Sequence, residues 1–183
     1  MIYFDGCEWT WGSELKDRSK RFSTLVCQNF QVEEKNVSHP NRTNDGIVRQ
    51  LVENSVENYS LVVIQMTTPS WTEVYEGEEW KKVKTPKHLR QEFGEQQEWK
   101  HWHQLKDHCA THSVPLILIT LRDRQGKPWD RDEGPSKLPF DLYIGDTNPT
   151  AYPRSPNGHP SALGHAMIAE DIIKLITYRG VSL

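Results

Sequence analysis

Cysteine is scarce in this chain: of 183 residues only Cys7, Cys27 and Cys109 are cysteines. An odd, sparse set makes no disulfide framework and suits a reducing compartment. Long apolar runs are missing too. No stretch approaches the roughly 18 consecutive apolar residues of a membrane-spanning helix. The opening Met1-Ile2-Tyr3-Phe4-Asp5 has neither the basic segment nor the long apolar run of a secretory signal. The expected location is therefore cytoplasmic, and the glycosylation patterns at Asn36 and Asn41 read as chance matches. A large excess of charge of one sign is absent as well. The formal net charge of −3 gives no global attraction to a nucleic-acid backbone or an anionic membrane. Gly-x-Gly-x-x-Gly and phosphate-loop lysine motifs are absent, so no nucleotide cofactor is expected. His101, His108 and His112 share a helical face without the His-Glu-x-x-His pattern. They read as a wet polar face, and no metal is expected.

What the chain does have is enough to fold. Apolar residues make up 36% and charged residues 26%, well mixed, which fits one domain over residues 1–183 with its own core. Met1 to Phe4 reads as a buried strand running into a tight Asp5-Gly6 loop. Residues 17–30 have helical spacing, 30–37 suit a short second strand, and Asp45 can cap a helix to about Asn58. Leu61 to Met66 and Val114 to Thr120 are short, β-branched and apolar, as buried parallel strands are. Residues 1–5, 60–66 and 114–120 are thus the expected central strands. Thr67 to Pro86 is polar and irregular and reads as a loop over the sheet edge. Residues 86–112 form one long helical stretch, with Gly94 a candidate break. Arg122 to Leu138 reads as loop, 140–144 as a short strand, 146–158 as a second long loop, and 161–178 as a final amphipathic helix. The order predicts a three-layer α/β/α sandwich with a mainly parallel sheet.

In such a fold, ligands bind at the carboxyl ends of the strands. Those ends carry Asp5 to Trp9, His39 to Asn44, Thr67 to Trp71 and the residues after Thr120. Seven tryptophans are many for this length, and several lie in polar segments, which suggests a lined cleft. Trp9, Trp11 and Trp71 fall beside it, where an aromatic face suits stacking on a sugar ring; for Trp11 core packing is the favoured reading. Asn41, Arg42 and Asn44 make a polar loop at the same end. Arg42 suits an anion or a sugar hydroxyl, or is simply a solvated loop arginine. Cys7 reads as a small buried residue, and Asp5 as a loop cap or surface acid.

Three blocks carry a family resemblance. Gly6-Cys7-Glu8-Trp9-Thr10-Trp11-Gly12 resembles the first block of the SGNH (GDSL) hydrolases, Gly-Asp-Ser-x-Thr-x-Gly. Asn36-Val37-Ser38 through Thr43 to Arg49 resembles the second. Asn157-Gly158-His159-Pro160 through His165 resembles the last, which carries the histidine and leads into the final helix. The string is most similar to small SGNH-like proteins of tailed phages, which implies the flavodoxin-like SGNH sandwich and a host-cytoplasmic or virion-associated location.

The departures lie at the chemistry. Glu8 stands where the resemblance places the nucleophilic serine. Pro156 stands where it places the aspartate that orients His159. Asn41 falls near the glycine whose N–H serves the oxyanion hole, and Thr67-Thr68-Pro69-Ser70 supplies no third-block asparagine. Glu8 has no hydroxyl proton to give, and acylation would make it a mixed anhydride. Glu8 and His159 are the candidate catalytic pair, as ion pair or as acid and base, with a purely structural salt bridge as the alternative. Asn41, Arg42, Asn44, Thr67, Trp9 and Trp71 are the candidate binding residues. Serine at position 8 is expected to restore little esterase activity unless Asp5 or Asp146 orients His159. The expected function is an SGNH-hydrolase-like protein with a rewired site, acting on an ester or a decorated sugar. The alternative is a non-catalytic carbohydrate-binding or host-interaction phage protein.

Overall fold

The computed structural model describes residues 1–67, 71–84, 90–121, 140–144 and 152–183. The expected 122–138 loop, Asp146, and Thr68 to Ser70 lie outside the described residues. β1 (Ile2–Asp5), β2 (Glu34–Asn36), β3 (Leu61–Met66), β6 (Leu116–Thr120) and β7 (Leu142–Tyr143) form one sheet. Its order is β2-β1-β3-β6-β7, and every pairing in it is parallel.

Side chains alternate along these strands, so each strand feeds two cores. Ile2, Phe4, Leu61, Val63, Ile117 and Ile119 face α2 (Phe22–Phe30) and α5 (Ala162–Tyr178), meeting Phe22, Val26, Ile168 and Ile172. Tyr3, Val62, Ile64, Met66 and Leu118 face α3 (Asn44–Val52) and α4 (Arg90–Thr111), meeting Ile47, Leu51, Trp102 and Leu105. Helices on both faces of a parallel sheet make the three-layer sandwich that the element order predicts. No helix among the described residues is long and apolar enough to cross a membrane.

Several local expectations are corrected. The 67–86 segment contains a hairpin, β4 (Trp71–Glu76) and β5 (Glu79–Lys84). Gly77 and Glu78 both have positive φ, 61° and 67°, the requirement of a tight hairpin turn. Residues 17–30 divide in two. Asp17 caps a short 3-10 turn over Arg18–Lys20, and Arg21 returns to extended backbone before α2 begins. The expected 45–58 helix stops at Val52 and is followed by a 3-10 turn at Val56–Asn58. α4 continues through Gly94. His101 is not on a wet face: it is 4% exposed.

The chain passes from β1 to β2 on one side and then crosses back over β1 to β3 on the other. That reversal opens a crevice at the carboxyl end of β1, the place where such sheets bind ligands. A one-turn helix, α1 (Glu8–Trp11), begins there. Gly6 makes the entry close-packed: a Cβ at this position would collide with Thr10 Oγ1 and lie 3.0 Å from Gln65.

Candidate functional site

The floor of the crevice is polar. Gln65, near the end of β3, accepts from Cys7 N at 3.3 Å, Cys7 Sγ at 3.3 Å and Thr10 Oγ1 at 3.1 Å. It thereby ties the start of α1 to the sheet. Burial pushes the Cys7 thiol up to about 12, so it stays protonated and is no nucleophile. Asp5 is completely buried, not a surface acid. Arg42 Nη1 grips both of its oxygens, at 3.1 and 3.0 Å. Burial raises the Asp5 carboxyl to about 6, against the pull of Arg42 and of the Gly6 N–H. Arg42 is therefore an ion-pair partner, not a free loop cation.

Above this floor the loop after β2 turns back. Asn41 takes positive φ, 63°, a left-handed conformation that asparagine tolerates better than most residues. Its N–H donates to Glu8 Oε1 at 2.7 Å. A backbone amide near the one that the resemblance assigns to the oxyanion hole is thus held by the protein's own carboxylate. Lys82 Nζ donates to the Asn41 carbonyl at 3.0 Å and lies 4.7 Å from the centre of the Trp71 ring.

These groups surround a cavity of about 160 Å³ lined by Glu8, Asn41, Arg42, Thr43, Thr67, Trp71 and Lys82. Five of the expected site residues meet there: Glu8, Asn41, Arg42, Thr67 and Trp71. Four others are placed elsewhere. Asn44 is buried and exchanges two hydrogen bonds with the Thr67 backbone, each 2.9 Å, so it fixes the end of β3. Trp9 is packed in the core at 5% exposure with the Arg154 guanidinium over its ring at 5.2 Å. Trp11 is half-buried, with Arg18 stacked 4.0 Å from its ring centre.

His159 is the fourth. Its Nδ1 bonds Glu14 Oε1 at 3.0 Å, and Asn157 Nδ2 reaches both Glu14 oxygens at 3.2 Å. The hydrogen bonds from His159 and then from Asn157 hold the Glu14 carboxyl below its ordinary range. The expected pair is therefore divided: Glu8 engages Asn41, and His159 engages Glu14. Three contributors have no expectation behind them. Glu14 follows α1 without any periodic signal, Thr43 and not the expected Asp45 is the N-cap of α3, accepting from Gly46 N, and Lys82 is one of several lysines in a charged run.

The hairpin is pinned over the cavity. Asp45 accepts from Thr72 Oγ1 at 2.7 Å, Glu73 N at 3.0 Å and His101 Nε2 at 2.8 Å. Burial alone would raise its carboxyl, but the hydrogen bonds from His101 and Thr72 outweigh it and bring it to about 2. Glu73 in turn accepts from Thr43 Oγ1 at 2.6 Å and pairs with Arg49.

No family model matches the sequence, and no curated protein matches it. Solved structures match in fold. TesA superposes with a TM-score of 0.64 at 12% identity, over 97% of this chain and 98% of that one. The psychrotrophic esterase EstA from Pseudoalteromonas sp., inhibited by monoethylphosphonate, gives 0.62 at 13%, over 99% and 98%. A family two carbohydrate esterase from Clostridium thermocellum, in complex with cellohexaose, gives 0.60 at 10%, over 97% of this chain and 63% of that one. At such identities the likeness is one of fold, and the fold is the three-layer sandwich of the SGNH hydrolases.

Proposed function

We propose that this chain binds a decorated carbohydrate in the Glu8 cavity and does not hydrolyse esters by a serine-type route. The observation that carries this reading is the 2.7 Å hydrogen bond from Asn41 N–H to the Glu8 carboxylate. Acyl transfer needs preorganised donors aimed at an oxygen that becomes negative. Here a full negative charge already occupies the donor, and a second anion beside it is opposed by Coulomb repulsion. The same group suits a sugar hydroxyl, which can donate to Glu8 while accepting from another residue. Arg42 and Lys82 are donors only, Thr43 and Thr67 can do both, and the 40%-exposed Trp71 offers a face for a ring. The volume lies well under the roughly 300 Å³ of drug-sized pockets. It accommodates one ring or its substituent, not a buried chain. The shared fold of a carbohydrate esterase seen with cellohexaose supports this choice. The likeness of the three blocks to small tailed-phage proteins supports a role in recognising glycans of a host cell.

A hydrolytic second reading is favoured by the Glu14–His159 contact, because a histidine fixed on a carboxylate is equipped to activate water. One experiment decides between the two. Cello- and xylo-oligosaccharides, plain and O-acetylated, are titrated by saturation-transfer NMR while released acetate is measured. The expected result is binding that Trp71→Ala weakens threefold to tenfold, with no acetate released above the His159→Ala background. Acetate release lost in His159→Ala moves the assignment to hydrolysis. Absence of binding by every sugar removes the carbohydrate reading.

A further inference from the structure

We propose that the cavity between α4 and the β6–β7 edge of the sheet is a second binding site, suited to a small carboxylate on an apolar body of about one ring. This stands whatever the Glu8 cavity binds. Trp102, Lys106, Leu116, Leu118, Asp141 and Arg179 line about 180 Å³ there, and none of them lines the Glu8 cavity. Glu8 follows β1, whereas this cavity lies beyond β3, at the outer strands on that side of the sheet.

The first observation is charge. Asp141 is engaged within the protein: one oxygen takes the Arg179 guanidinium, and the other accepts from Leu118 N at 2.7 Å. Arg179 Nη1 also donates to the Leu116 carbonyl at 3.3 Å. A guanidinium carries five N–H groups, so Arg179 keeps donors to spare. Lys106 has no carboxylate partner among the described residues, and its ammonium rests 4.1 Å from the centre of the Trp102 ring. Two cations and one carboxylate that is already paired leave the cavity with a positive surplus.

The second observation is an orphaned donor. Trp102 is 8% exposed, and its Nε1 is buried without a hydrogen-bond partner. A buried N–H left unpaired is costly, and an acceptor brought to it recovers that cost. Packing fixes the ring, because Trp99 and His103 meet it edge-on with ring centres 6.2 and 5.0 Å away. The polar groups with capacity to spare are thus all donors. They select a group that only accepts, as a carboxylate does, and an amine would meet like charge. The third observation is the wall. Leu116, Leu118 and the Trp102 indole are apolar, and an apolar cavity of roughly 150 Å³ takes up benzene. The space here admits one ring with a short substituent, whose carboxylate gains charge-assisted hydrogen bonds from Lys106 and Arg179.

The probes are benzoate, its uncharged isostere benzamide, and the cation benzylamine. Each is titrated into ¹⁵N-labelled protein at fixed ionic strength while the indole N–H signals are followed, that of Trp102 being identified with Trp102→Phe. Benzoate is expected to bind saturably, with a dissociation constant of about 1 mM or lower, and to shift the Trp102 signal. Benzamide should bind roughly fivefold more weakly or worse, and benzylamine should not bind. Lys106→Gln should weaken benzoate by roughly fivefold or more. Lys174→Gln removes the same charge from an exposed position on α5 and should leave the affinity unchanged. Leu116→Phe should fill the cavity and abolish binding; if that chain does not fold, Lys106→Gln, at an exposed side chain, carries the comparison. Absence of saturable benzoate binding overturns the site. Equal affinity for the three probes, or equal losses in Lys106→Gln and Lys174→Gln, overturns recognition of the carboxylate. Benzoate binding that leaves the Trp102 signal in place lies elsewhere and overturns the site as well.

Discussion

Asp5 is the residue whose environment differs most from its sequence context. A polar residue at the end of an apolar strand, next to glycine, suggests a turn cap. Only the β2-to-α3 loop, 37 positions away, brings Arg42 to it. Contacts of that range leave no local pattern, and Glu14 with His159, 145 positions apart, escaped notice for the same reason. Glu8, Asn41, Arg42 and Thr67 were legible because they sit at strand ends, and the fold converges strand ends on one crevice. The ion pair makes two predictions. Arg42→Ala leaves a buried, unpaired carboxylate and should cost about 3–5 kcal/mol, read by urea unfolding at pH 7. Asp5 also sets a pH dependence. Its folded pKa of about 6 lies above the unfolded value, so the folded chain holds this proton more tightly. Its contribution to stability is least above pH 6 and grows as pH falls from about 6 toward the unfolded value, by an amount on the order of 3 kcal/mol. Wild type should therefore gain on Asp5→Asn between pH 7 and pH 4.5. A constant difference between the two chains across that range would contradict the burial argument.

At the scale of elements, hydrophobic periodicity located the sheet and missed the hairpin. β3 and β6 announce themselves as β-branched apolar runs because both faces are buried. β4 and β5 bury neither face fully: Val74, Tyr75, Trp80 and Val83 remain exposed, and charged residues alternate with them. Their pairing rests on the Gly77-Glu78 turn, on the Tyr75–Trp80 pair with ring centres 5.2 Å apart, and on anchorage to α3. Asp45 is the main anchor, with three donors on one carboxylate. Asp45→Ala should cost about 2–4 kcal/mol, since it leaves the buried His101 and the hairpin donors without their acceptor. Amides of Thr72 to Glu76 should then exchange faster with solvent. Trp71 and Lys82 ride on this hairpin, so sugar binding should weaken with it. The pH dependence has the opposite sign to that of Asp5. A carboxyl depressed to about 2 contributes its full stabilisation above the unfolded value near 4. That contribution is lost as pH falls through about 2. Acid should loosen the hairpin, read as faster exchange at pH 2 than the change in intrinsic rate explains, whereas Asp45→Ala should show no such excess.

Among the described residues two apolar cores are divided by the five-stranded sheet, and its strands belong to both. Phe4 and Tyr3 are neighbours in sequence and lie in different cores. Neither core can come apart without exposing strands that the other needs. This predicts a single cooperative transition and not stepwise loss of one helical layer. Two truncations test it from opposite sides. Ile172 on α5 and Leu105 on α4 are both essentially inaccessible to solvent, and cutting either to alanine should cost about 2–5 kcal/mol, the range for large-to-small changes in a packed core. They sit on opposite faces of the sheet and belong to separate cores, so the double variant should show the sum of the two costs to within about 0.5 kcal/mol. Urea unfolding is followed by far-ultraviolet circular dichroism, which reports the helices of both layers. It is followed in parallel by tryptophan fluorescence, which draws on buried Trp9 in one core and Trp102 in the other. The two signals should coincide in wild type, in Ile172→Ala and in Leu105→Ala, with the midpoint lowered and the slope unchanged in each variant. If Ile172→Ala splits the curve into two steps while Leu105→Ala does not, the α2–α5 layer unfolds on its own. The shared sheet would then not be what makes the two cores one cooperative unit.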